Sequence, residues 1–335
     1  MDSTFTLSDA HCHVNGGGSC SGRGSGRGSG RVDSSPFFTW QLVVGTRPSD
    51  WGKVAAFGMD VDVDGNVDDD GAASPAFLAF GVHPWYVEEH FDESSMVELN
   101  AMLERHPDAG VGEIGLDRVS ARRSGASNAR ELQRRAFDAQ LSLACRLQRR
   151  VSVHCVREHG TLHEKLKLAD LNPVMPRAIN LHSWSGSPDA ARALLKLPRL
   201  GCRLFFGASA AVNAPFMKHF DAEALFNIPA SDVEKRLREH LQRQQKEGEE
   251  RAQKCFDKFA SRIAAVPANR LLLETDLCVV ETPALVRKKS AMRIAAAVAA
   301  ARANREGWSA FQWTRQAKEN IESFLTFDPA ADAIV

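Results

Sequence analysis

The sequence predicts an α/β protein: a single (β/α)8 TIM-like barrel over residues 1–335, with inserted loops and one long charged helical insertion. Three observations predict it. Short apolar runs recur along the chain, eight in all. Several are near-continuously apolar rather than alternating, as strands buried on both faces of a parallel sheet are. Segments of helical period separate them, which is the strand–helix alternation of an α/β barrel or a doubly wound sheet.

In order, the candidate strands are Phe5–Leu7, Gln41–Val44, Phe77–Gly81, Ala109–Ile114, Val151–His154, Ala178–His182, Gly201–Phe206 and Leu271–Glu274. Between the fourth and fifth, Asn128–Arg150 repeats apolar residues at Leu132, Phe137, Leu141, Ala144 and Leu147, which share one helical face. Three segments read as insertions. One spans about 15–36, where Gly16–Gly30 is almost entirely Gly, Ser and Arg with almost nothing to bury and reads as a flexible loop. Residues 60–71 (DVDVDGNVDDDG at the core) are acidic and turn-rich; without the terminal glutamate of a calcium loop they read as a solvated loop. Residues 232–259 are charge-dense and read as one helix that projects from the barrel or covers an edge.

Bulk composition excludes several classes. Lys plus Arg and Asp plus Glu both number 42, so no net field draws the whole molecule to nucleic acid or an acidic membrane. No run reaches the roughly 18 apolar residues of a membrane span, and the N-terminus lacks the pattern of a signal peptide. Seven unevenly spaced cysteines do not form a disulfide framework. A soluble intracellular protein, cytoplasmic or nuclear, with no membrane partner is expected.

Metal-ligating residue types fall repeatedly at the ends of the apolar runs, where a barrel builds its active site. His11 and His13 follow the first run, two apart and so on one side of an extended segment. Glu113 lies at the fourth, His154 and His182 end the fifth and sixth, and Asp276 follows the eighth. A lone strand histidine is usually a packed residue, but six such groups at one mouth are costly to bury unless a cation holds them. Imidazoles with carboxylates suit zinc, manganese, iron or cobalt, and magnesium is compatible. Cys12 and Cys155 flank ligands but point away from them on a strand.

The chain resembles the TatD-type metal-dependent deoxyribonucleases of the amidohydrolase superfamily. The resemblance rests on DAHCHV at 9–14, GVHPW at 81–85, GVGEIGLD at 110–117, VHCVREHG at 153–160, LHSWSG at 181–186 and LLLETD at 271–276. HCVREHG and LHSWSGSP resemble a eukaryotic branch related to a fungal protein that binds a mitotic-complex subunit. The resemblance implies two divalent ions (magnesium, manganese or zinc) and phosphodiester hydrolysis of DNA, with 3′ to 5′ exonuclease action. By motif, His11, His13 and Asp276 would hold one ion, His154 and His182 the other, Glu113 would bridge them, and His83 would contact a substrate phosphate. Bacterial members carry an arginine two residues past the fifth-strand histidine; here Arg157 is three past His154, which bears on the substrate grip.

On that reading Glu113 and Asp276 are the catalytic candidates. Asp276 either orients and deprotonates the attacking water or is only a ligand. Arg157 and His83 are substrate-binding candidates, although His83 can instead pack in its own turn before Pro84. Trp184 either stacks on a base or packs on the barrel rim. Glu274 and Asp117 are candidates to orient ligands. Arg23, Arg27 and Arg31 either overhang the mouth or belong to a plain linker. Two rivals stand beside the nuclease: an interaction protein docking a partner through 232–259, and an amidohydrolase acting on a small amide or ester, which would usually carry a ligand lysine where this chain has Glu113.

Overall fold

The computed structural model describes residues 7–14, 38–57, 76–218, 220–245, 250–279 and 281–327. The inserted segments 15–36 and 60–71, with Arg23, Arg27 and Arg31, lie outside the described residues. Eight strands form one parallel sheet in sequence order: β1 (Leu7–His13), β2 (Phe38–Val44), β3 (Ala76–Phe80), β4 (Gly110–Asp117), β5 (Val151–Val156), β6 (Ile179–Leu181), β7 (Leu204–Ser209) and β8 (Leu271–Glu274). The sheet closes through a parallel bridge between His13 and Cys278. Backbone bonds from Asp276 N to His11 O (3.0 Å) and from Val279 N to His13 O (2.7 Å) complete that seam.

All eight expected strands are present, but the first extends further. The sequence marked the apolar Phe5–Leu7, whereas β1 runs through His13, so His11 and His13 lie within the strand rather than after it. Its two fully buried polar residues, Asp9 and His11, survive burial because both have partners. Asp9 accepts from Thr275 N (2.8 Å) and Thr275 Oγ1 (2.5 Å), which staples β1 to the end of β8.

From β2 onward helices occupy the crossovers, as right-handed parallel connections require. Ala129–Arg146 follows β4 and buries Phe137, Leu141 and Ala144 on the face the sequence indicated. A main core of strand and helix side chains includes Val111, Val153, Phe206 and Leu273. A second cluster joins Ala10, Leu42, Ala79, Phe205 and Leu272 from five strands to Ile321 and Phe324 of the helix Ala310–Thr326.

The segment read as a single charged helix over 232–259 is two helices, Ala230–Gln245 and Glu250–Ala264. Nor is it a solvated arm. Val233, Leu237 and Leu241 recur at four-residue spacing and are fully buried, as is Phe256. One narrow apolar stripe is enough to dock an otherwise charged helix. Both helices pack against Ala284–Ala301, whose run from Ala291 to Ala300 is buried at every position except Arg293. Small alanine side chains let that helix lie close to neighbours on two sides. No helix among the described residues is long and apolar enough to cross a membrane.

Candidate metal centre

Glu113 organises the mouth. It lies in β4, is 2% exposed, and points its two carboxylate oxygens at different neighbours. Oε2 faces His11 Nε2 at 3.2 Å and His13 Nε2 at 3.6 Å. Oε1 faces His154 Nδ1 at 2.9 Å, His83 Nε2 at 3.4 Å and His182 Nε2 at 3.9 Å. Asp276 Oδ1 closes the group, 3.4 Å from His13 Nε2 and 3.6 Å from His182 Nε2. All six sequence-predicted ligands therefore converge.

Strand geometry explains the convergence. His11 and His13 share one face of β1, and Ser152 and His154 one face of β5. Ser152 Oγ lies 3.0 Å from His11 Nδ1, which turns Nε2 toward Glu113. Asp276 reaches the centre from a left-handed backbone (φ 56°) pinned by its bond to His11 O.

Electrostatics follow from crowding. Burial alone would raise the Glu113 pKa, but His83, His11 and His182 pull it well below the usual range. Burial opposes charge on His182 too, yet Glu274, Asp276 and Glu113 raise it to about 10. His154 is likewise raised against burial to about 9, by Asp117 and Glu113. His11 is lowered, first by burial and then by His182, whose ring stacks on it at 3.6 Å. Asp276 is lowered to about 2, since His182 and His13 outweigh burial.

The donor chemistry fits a divalent cation. His11 Nε2 and His13 Nε2 face each other at 3.2 Å and share one carboxylate oxygen, an arrangement in which a single proton satisfies only one pair. Nitrogen and oxygen ligands around a tetrahedral ion at about 2.0–2.2 Å lie about 3.3–3.6 Å apart, close to these spacings. Three overlapping donor sets meet the distance requirement: His11, Glu113 and His182; His11, His13 and Asp276; His83, Glu113 and His154.

Supporting groups fix the imidazoles. Glu274, fully buried, sets Oε1 2.9 Å from His182 Nδ1 and accepts from Ser183 N. Gly207 makes room for it, because a Cβ there would lie 2.6 Å from the Glu274 carboxyl carbon. Asp117 Oδ2 lies 3.5 Å from His154 Nε2 and accepts from Trp85 Nε1 at 2.6 Å. Its Oδ1 caps the helix Arg118–Ser124 through Val119 N and Ser120 N. Sequence reading missed Asp9, Ser152 and Trp85. The first two carry a usable signal, since each stands two residues before a ligand histidine on the same strand face.

Two predicted substrate residues are not at the centre. Trp184 is 3% exposed, with its ring edge-on to Phe206 and His159, and Gly186 leaves the space its ring fills. A base has no access to its face, so the packing alternative is the one realised. Arg157 is exposed on the loop after β5 and does not line the pocket. His83 does line it, along with Glu113, His154, His182 and Asp276, in a cavity of about 430 Å³.

Fold and donor set together define a class, the (β/α)8 barrels that carry a divalent-metal donor set at the mouth. The family model described as TatD related DNase matches residues 42–231, more than half of the chain. The chain belongs to the TatD-related DNase family. It is 38% identical over 125 residues to the Escherichia coli protein described as an uncharacterized metal-dependent hydrolase, YjjV (37% of this chain, 44% of that one). It is 32% identical over 129 residues to the 3′-5′ ssDNA/RNA exonuclease TatD of Pantoea vagans (37% and 45%). To the Cut9-interacting protein scn1 of Schizosaccharomyces pombe it is 26% identical over 225 residues (44% and 64%). The chain thus spans between about two fifths and two thirds of the curated relatives it matches. Among solved structures, the YjjV crystal structure aligns at TM-score 0.57 and 23% identity, covering 88% of this chain and 90% of that one. A TatD family hydrolase from Entamoeba histolytica aligns at TM-score 0.59 and 13% identity (97% and 99%). These two likenesses establish the fold.

Proposed function

We propose that this chain is a divalent-metal-dependent phosphodiester hydrolase acting on nucleic acid, foremost a deoxyribonuclease that removes nucleotides from the 3′ end of single strands. The observation that carries the reading is the convergence of four imidazoles and two carboxylates around Glu113 at a pocket mouth. Family membership supports the reaction class. The Pantoea relative's name supports the direction and the substrate. A pocket of about 430 Å³ suits one terminal nucleotide better than a continuous groove.

In this reading His11, His13 and Asp276 would hold one ion, His154 and His182 would hold the other, and Glu113 would serve both, since its Oε2 faces the first set and its Oε1 the second. Bound divalent ions acidify water and neutralise charge developing on phosphate oxygens. Asp276, ionised at neutral pH, accepts a hydrogen bond from the attacking water and fixes its direction. His83 is the donor to a phosphate oxygen. Burial lowers its pKa to about 4, so it is neutral. Its Nδ1 accepts from Trp85 N at 3.2 Å, which leaves the proton on Nε2, the atom facing the centre. A second role, partner binding, is supported by the name of the fission-yeast relative; the outer face of the helices over 230–264 is its candidate surface.

The test is hydrolysis of single-stranded DNA with magnesium, manganese and zinc supplied separately, alongside Glu113→Ala. Metal-dependent cleavage that disappears in the variant is expected. Stoichiometric metal binding without cleavage under any metal would overturn the nuclease reading in favour of another phosphoester or the partner-binding role.

A further inference from the structure

We propose that Trp85 is the platform on which the substrate's terminal base stacks, an inference that rests on the nucleic-acid reading and names how the site recognises that substrate. All six tryptophans of the chain are among the described residues. Trp51, Trp184 and Trp313 are buried, Trp40 and Trp308 are partly covered, and Trp85 alone is exposed, at 42%. Exposing a large aromatic ring forgoes burial that the other five obtain.

The ring is nevertheless held in place. Its indole N–H donates to Asp117 Oδ2 at 2.6 Å, and Asp117 is itself fixed as the cap of Arg118–Ser124. Its ring neighbours are imidazoles of the centre, both T-shaped to it: His83 at 5.0 Å and 89°, and His154 at 6.2 Å and 75°. Trp85 therefore sits beside the donor set, rigid, lining the same pocket as Glu113. Ala211 and Val212 also line that pocket, the valine 51% exposed, so the mouth offers apolar surface beside its carboxylates and imidazoles.

Charge at the pocket supports the assignment. Among the described residues no lysine or arginine lines it. A pocket that has to hold a nucleotide without a basic track must draw on bound ions for the phosphate and on ring faces for the base. Stacking is tolerant of sequence, because every base has a π-face. It also selects substrates that carry an unpaired base, since a base stacked within a duplex cannot present its face.

The experiment has two arms. In the first, Trp85→Ala and Trp85→Phe are compared with the wild type on single-stranded DNA and on an abasic strand of equal length, a diester that carries no aromatic ring. The ratio of kcat/KM between the two substrates should fall about 5- to 150-fold in Trp85→Ala, the range set by alanine substitution of a stacking aromatic, chiefly through KM, and Trp85→Phe should recover most of it. A merely structural role would lower both substrates together and leave the ratio unchanged, which would overturn the assignment.

The second arm needs no turnover. Tryptophan fluorescence is titrated with a thymidine pentanucleotide and with an abasic pentamer of equal length. Quenching by the base-bearing oligomer only, lost in Trp85→Phe, is expected. Quenching that persists in Trp85→Phe, or that is equal for both oligomers, would overturn it. If the wild type hydrolyses neither substrate yet shows the base-dependent quench, the nuclease reading falls and the stacking platform stands.

Discussion

Gly207→Ala isolates one steric claim about the centre. A methyl group at this position would lie 2.6 Å from Glu274 Cδ and from Glu274 Oε1. Glu274 is fully buried and cannot swing into solvent, so either β7 moves or the carboxylate leaves His182 and Ser183. Overpacking costs about 1–3 kcal/mol, and a lost hydrogen bond to a charged group about 1.5–3 kcal/mol. Either route predicts a destabilisation of about 1–3 kcal/mol, or about 2–6 °C in Tm at roughly 2 °C per kcal/mol for a large domain. Releasing the group that orients His182 should also weaken divalent-metal affinity about 10- to 100-fold. Thermal melts and calorimetric titration with zinc or manganese measure both. A double-mutant cycle locates the cause: in a Glu274→Ala background Gly207→Ala should cost at least about 1 kcal/mol less. A melt within about 1 °C of wild type with unchanged metal affinity, or strictly additive costs, would refute the claim that Gly207 exists to admit Glu274.

Three further outcomes follow from other parts of the molecule. Phe256 is fully buried, edge-on to Phe216 and under the Arg238 guanidinium, so Phe256→Ala should cost about 3–5 kcal/mol in urea unfolding, whereas a solvated arm would lose almost nothing. Glu158 titrates below its ordinary value of 4.5: burial opposes this, but Thr161, Arg130 and Arg118 outweigh it. A depressed folded pKa contributes stability that is complete above 4.5 and is lost as pH falls through the folded value. Glu158→Gln should therefore remove about 1.5 kcal/mol at pH 7 and less below pH 4, read from urea midpoints across pH. Finally, adding zinc or manganese to metal-stripped protein should raise Tm in proportion to the logarithm of metal concentration, and Glu113→Ala should abolish the rise.

The barrel was legible because its strands are buried on both faces, which leaves apolar runs that survive without alignment. All eight runs coincide with or touch a strand. The candidate ligands were legible for the opposite reason, being polar residues at the ends of apolar runs. The misreadings share one physical origin, which is that a partner distant in sequence changes what burial costs. β1 was cut short because DAHCH looks too polar to be a strand, yet Asp9 is satisfied by Thr275 and His11 by Ser152 and Glu113. The helices over 230–264 looked solvated because most of their residues are charged, while Val233, Leu237 and Leu241 were enough to anchor one of them. The alternative left open for Trp184, and the missed Trp85, are settled by distant partners too. Sequence shows two tryptophans beside two histidines, but only folding reveals that Gly186 admits one ring to the interior and that Asp117 holds the other at the surface.

Asp9 shows how closing the barrel and assembling the centre are one event. Its pKa is raised to about 6 by burial, against bonds from Thr275, so ionising it in this position is costly. The compensation is positional. Asp9 joins β1 to the residue immediately before Asp276, and the Asp276 N–H then bonds to His11 O. The first and last strands therefore cannot pair without bringing His11, His13 and Asp276 to one point. Those three residues form one of the candidate donor sets, and they come from the two ends of the sheet, 265 residues of chain apart at their widest between His11 and Asp276. A cation held by them would bind the closed barrel in preference to the open one, so metal affinity and barrel closure are thermodynamically linked. That linkage gives a reason for costly polar groups in the first strand, where an apolar sequence would have paired as well.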